Sequence, residues 1–134
     1  MSVLDQLRNA RYSRVRSELD SERLERLRSA AQGLNSQLGS TGASGSPKTP
    51  DRMAEVLVTI DELQTKLSYS IVETERLAME AEAHIDSLPP VQQTVVRLRF
   101  IRGFDWAEVA EEMGYSERQC QRHLEEAVKK LARL

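Results

Sequence analysis

Between Asp51 and Leu88 an apolar or small residue returns at every seventh position: Met53, Ile60, Leu67, Thr74, Ala81 and Leu88. Val56, Leu57, Leu63, Ile71, Leu77, Ala78 and Ile85 flank that line, so the pattern predicts one long amphipathic helix with a wide stripe over 51–88. At 1.5 Å per residue such a helix is about 55 Å long, more than a chain of this size can leave uncovered. A second helix must cover it, from the N-terminal segment or from another protomer. Residues 1–38 are rich in Leu, Arg, Glu and Ala and predict an N-terminal helix. There Leu24, Leu27, Ala31, Leu34 and Leu38 keep a seven-residue repeat, whereas Tyr12, Val15 and Leu19 run in another phase. Asp20 and Ser21 mark the slip, and the pattern predicts a kink or break near residue 20.

Residues 39–50, GSTGASGSPKTP, hold no apolar residue larger than Ala and predict a flexible linker that lets the flanking helices return antiparallel. The Gly, Lys and Ser/Thr spacing of a phosphate-binding loop is absent. Leu88-Pro89-Pro90 ends the long helix and opens the next, since Pro suits a first helical turn and disfavours helix in the residue before it. That next helix runs to about Ile101 on Val91, Val95, Leu98 and Phe100 or Ile101, and Arg102-Gly103 closes it.

From Asp105 onward the pattern changes to two short helices. Asp105 caps a helix whose apolar residues Trp106, Val109, Ala110 and Met113 share one face. Gly114 supplies a left-handed exit, and Ser116 with Gln119 forms a capping box for a second helix. Its stripe is Cys120, Leu124, Ala127, Val128 and Leu131, which turns Glu117, Arg118, Gln121, Arg122 and Glu125 outward. Small Ala110 allows a close crossing, the spacing of a helix-turn-helix whose second helix enters a DNA major groove. Arg matches the two acceptors of guanine and Gln the donor and acceptor of adenine. Trp106, the only Trp, is expected to be buried between the first helix of this pair and the helix preceding it. Arg97, Arg99 and Arg102 are expected near the module's rim, where they either clamp phosphates or are solvated. His84 is expected at the edge of the long stripe, and His123 partly against the module.

Residues 88–131, through Leu88, Pro89, Leu98, Phe100, Gly103, Trp106, Val109, Ala110, Gly114, Ser116, Cys120, Leu124, Ala127 and Leu131, resemble region four of bacterial sigma factors, the part that reads the promoter's upstream element. The resemblance covers about a third of the chain, and nothing in the sequence resembles sigma region two, which melts DNA and holds the polymerase clamp. Cys120 stands where Val or Ile is usual. The whole layout is similar to small phage-encoded sigma-like regulators. What the resemblance implies is base and phosphate contact by the residues after the cap, which are Glu117, Arg118, Gln121 and Arg122 here. With Ser116, Gln119, Arg99 and Arg102 they make up the candidate DNA-binding set. Double-stranded DNA and RNA polymerase are the implied partners.

The expected fold class is therefore all-α: a long helical hairpin or coiled-coil arm, followed by a helix-turn-helix module over 89–134. With 134 residues, 40% hydrophobic and only 4% aromatic, the chain suits one modest domain or an elongated helical assembly rather than a large enzyme core. The sequence has no apolar run long enough for a membrane span and no signal-peptide pattern, which predicts a cytoplasmic protein. It has a single cysteine, no HExxH and no nucleophile elbow, so neither enzyme activity nor a cofactor nor a metal is expected.

Net charge is −2, unevenly spread. Residues 1–38 hold seven Arg against five acids, residues 51–90 three bases against nine acids, and residues 91–134 eight bases against seven acids. An acidic middle turns away from DNA or toward a basic helix, and a nearly neutral module needs a second copy or a partner protein to hold a site. Arg8, Arg11, Arg14 and Arg16 are either a second nucleic-acid contact or solvated partners of the acidic helix. A homodimer through the long helices is expected. Two other readings stay open: a small-terminase-like packaging protein that oligomerises through its helices, and a coiled-coil interaction protein without DNA binding.

Overall fold

The computed structural model describes residues 2–40 and 48–133, all-α with no strand among them. Five helices follow in order: α1 Val3–Ser40, α2 Lys48–Ile85, α3 Pro90–Val96, α4 Trp106–Met113 and α5 Glu117–Leu131. A π-helical turn, Arg97–Ile101, continues α3. The part of the expected linker from 41 to 47 lies outside the described residues, but its flanks at 39–40 and 48–50 are helical. Pro50 falls in the first turn of α2, where a missing N–H sacrifices no helical bond. α1 passes Asp20 and Ser21 without interruption, contrary to the expected break. The phase slip changes which residues are covered instead, leaving Tyr12 and Leu19 exposed.

The chain forms two compact units, residues 17–70 and residues 1–16 with 71–134. In the first, α1 and α2 run against each other. Leu24 and Leu63 are buried, and the Ser17 and Ser70 hydroxyls hydrogen-bond at 2.6 Å. Here the N-terminal helix covers α2, one of the two arrangements that the stripe allows. Leu57 and Val58 are more than half exposed.

The second unit holds the main core. Leu7 from α1, Ala81 and Ile85 from α2, and Leu88 from the connection cluster with Val95, Val96, Leu98, Phe100, Val109, Cys120, Ala127 and Leu131. Each apolar stripe of the C-terminal helices thus meets the others, and burial at about 25 cal/mol per Å² drives the assembly. Ala81 and Ile85 belong to this core, so the last turns of α2 are part of the module that the sequence expectation began at residue 89. The α1 residues Leu7 and Ala10 are buried in the same unit, and the Ser13 hydroxyl bonds that of Thr74. Ile71, Val72 and Met79 stay exposed on α2, at spacings that share one helical face.

Candidate nucleic-acid interface

Local sequence builds the helix-turn-helix in the way the capping signals require. The Asp105 carboxylate accepts from the Glu108 N–H at 2.8 Å while the Glu108 carboxylate accepts from the Asp105 N–H, a reciprocal box that starts α4. Gly114 ends α4 at φ 74°, the left-handed region that a Cβ disfavours. Ser116 and Gln119 repeat the box for α5, Ser116 Oγ accepting from the Gln119 N–H at 3.1 Å. Three residues therefore separate α4 from α5. Val109, Cys120, Ala127 and Leu131 seal the contact, and Cys120 Sγ lies 3.9 Å from Met113 Sδ. Burial pushes the Cys120 thiol above its ordinary value, with Glu117 adding in the same direction.

The outward face of α5 carries Glu117, Arg118, Gln121, Arg122 and Glu125, all exposed, as the stripe predicts. They share one face of the helix and its first turns. Ser116 and Gln119 are placed differently from the other candidates. Their oxygens are taken by the cap, which leaves Gln119 only its amide N–H groups for a ligand. Half-exposed Tyr115 meets His123 with ring centroids 5.6 Å apart, so His123 packs partly against the module and Tyr115 joins the surface beside the candidate face. A lone Tyr in a turn gave no sequence signal for that position.

The basic rim divides into two uses. Arg97 is held by two acids, one at the end of α2 and one just past it: its Nε donates to Glu82 at 2.6 Å and its Nη2 to Asp86 at 2.8 Å, while Nη1 donates to Gln93. Those bonds raise the Arg97 pKa above its ordinary value, the Glu82 bond most, and commit its fork to the protein. Arg99 donates to the Phe104 carbonyl at 2.9 Å and lies over the Trp106 ring. Arg102 is exposed with its guanidinium over the Phe104 ring. Trp106 is partly buried and packs against the core from the first position of α4, in keeping with its expected place, while its outer face meets Arg99. Leu57 and Ile71, expected on the long stripe, are about half exposed.

With this geometry in place, the sigma-70, region 4 family model matches residues 78–131, from the last turns of α2 to the end of α5. Fold and match agree that the C-terminal part carries a helix-turn-helix of the sigma-70 region 4 type, a DNA-binding class. No curated protein and no solved structure matches the chain. Among the described residues no helix is long and apolar enough to cross a membrane.

Proposed function

We propose that this protein is a sequence-specific, double-stranded-DNA-binding transcription regulator that inserts α5 into a major groove. The observation that carries the reading is the exposed set Glu117, Arg118, Gln121 and Arg122 on α5, behind its N-terminal capping box and within the segment that the sigma-70 region 4 model matches. Arg118 and Arg122 read guanine, Gln121 adenine, and Glu117 accepts from cytosine amines, while Arg102 contacts phosphate. The layout, similar to small phage-encoded sigma-like regulators, points to phage or prophage promoters, with RNA polymerase as a second partner in the cytoplasm.

The reading includes a homodimer through α2. Ile71 is 49%, Val72 70% and Met79 75% exposed, an apolar face that a second protomer would cover. Two modules then reach half-sites about 34 Å or a multiple of that apart. Sequencing the fragments that the full chain retains from fragmented genomic DNA tests the proposal. Enrichment of one motif in promoter-proximal DNA supports it. Retention without sequence preference, or by a ring of eight or more copies, contradicts it and favours DNA packaging.

A further inference from the structure

Four arginines lie on two separate segments that meet beside the start of α4. Arg11 and Arg14 come from α1, Arg99 from the π-helical turn and Arg102 from its C-terminal cap. Arg14 Nε donates to the Ile101 carbonyl at 3.3 Å. Gly103, at φ 72°, passes so close that a Cβ there would lie 3.2 Å from Arg14 Cγ. α1 is thus seated directly on the turn that carries Arg99 and Arg102. The Arg99 bond to Phe104 and the ring contacts of Arg99 and Arg102 use one N–H or one guanidinium face each and leave the other donors free.

Arg11 Nε is buried with no hydrogen-bond partner. Among the described residues none of the four arginines forms an ion pair. Asp105 is the acid that acts on Arg99, and its Oδ1 is already used in capping α4. Burial first, and then the Arg11 charge, pull the Arg99 pKa below its ordinary value. Like charges held together in a partly desolvated place cost free energy that a bound anion offsets.

We infer that Arg11, Arg14, Arg99 and Arg102 form a phosphate-binding site, and that its occupant is a backbone phosphate of the duplex whose bases α5 reads. The inference rests on the DNA-binding reading above and adds to it a contact from α1, which lies outside the segment that the family model matches. Planar guanidinium forks fit phosphate oxygens. A duplex is favoured over an acidic protein because the four arginines sit in the same compact unit as α5. Residues 91–134 also hold only one base more than acids, too little charge to grip a phosphate backbone alone. Contacts of this kind set the protein's register on the duplex without reading sequence.

The test uses the full chain with Arg11→Gln and Arg102→Gln, singly and together, keeping Arg14 and Arg99 because they hold backbone carbonyls. Circular dichroism checks that helicity is unchanged. Affinity for the selected duplex and for a random duplex is measured across salt concentrations. The slope of log K against log salt should fall by about 0.9 per lost phosphate contact, so by about 1.8 in the double variant, equally on both duplexes. Inorganic phosphate should also raise the melting temperature of the unaltered chain above chloride at equal ionic strength, an effect lost in the double variant. An unchanged slope in a chain that binds DNA overturns this inference and leaves readout by α5 standing. A loss confined to the selected duplex assigns base contact and overturns it too. An unaltered chain that binds no duplex removes both the DNA reading and the DNA occupant. The phosphate response then decides whether the anion site alone survives.

Discussion

The guanidinium of Arg99 lies over the indole of Trp106, its carbon 4.6 Å from the ring centroid. This contact covers the side of Trp106 that the core does not, and a cation over an indole face contributes about 0.5 to 1 kcal/mol at a partly exposed site. Arg99→Ala should therefore shift the tryptophan emission to longer wavelength and raise its acrylamide quenching. Trp106→Ala should cost roughly 2 kcal/mol, below the range of about 3 to 5 kcal/mol for fully buried aromatic residues. Emission unchanged by Arg99→Ala would contradict the stacking.

Two glycines with nearly the same positive φ should respond differently to substitution. A Cβ at Gly114 meets nothing within 4 Å, so Gly114→Ala should cost only its left-handed strain, about 1 kcal/mol. At Gly103 the same strain is joined by crowding against Arg14 and Val15, at 3.2 and 3.3 Å, so Gly103→Ala should cost roughly 2 kcal/mol or more. Urea denaturation of the two variants checks this. Equal losses would place α1 away from the π-helical turn.

Glu82 of α2 and Asp86 just after it pair with Arg97 on that same turn. The Asp86 side chain is 66% exposed and that of Arg97 33%, so solvent screens much of the attraction. Arg97→Met should cost about 1 kcal/mol, and the loss should shrink in high salt. A loss independent of salt would assign the effect to packing of the Arg97 stem.

Much of this architecture is legible in the sequence because it is set locally. Asp105 with Glu108, Ser116 with Gln119, and Gly114 are short-range signals, and the Cys120 to Leu131 stripe follows helical spacing. Trp106 packs against the core as expected, but nothing in its composition or spacing marks which of its faces meets Arg99. The seating of Arg14 on the Ile101 carbonyl joins residues 87 positions apart, and no local pattern carries it. Leu7 and Ala10 enter the core without belonging to the repeat at Leu24 to Leu38, because their partners Ala81 and Ile85 come from the other end of α2. The π-helical turn likewise depends on how Leu98 and Phe100 both reach the core, which a regular 3.6-residue period does not anticipate.

Assembly should depend on the uncovered face of α2. Ile71 and Val72 are exposed, so Ile71→Glu with Val72→Glu should leave helicity intact while reducing a dimer to a monomer in light scattering. Affinity for the selected duplex should fall in parallel. A wild-type monomer at micromolar concentration that binds DNA tightly without a partner would contradict the dimer.

Readout of bases by α5 is tested most directly by comparing Arg118→Ala and Arg122→Ala with the unaltered chain on the selected and on random duplexes. Both residues are exposed and unpaired with the core, so helicity should not change. Loss should be about 1 to 3 kcal/mol on the selected duplex and much smaller on random DNA. Equal losses on both would reduce these residues to phosphate contacts, and no loss on either would remove α5 from the groove.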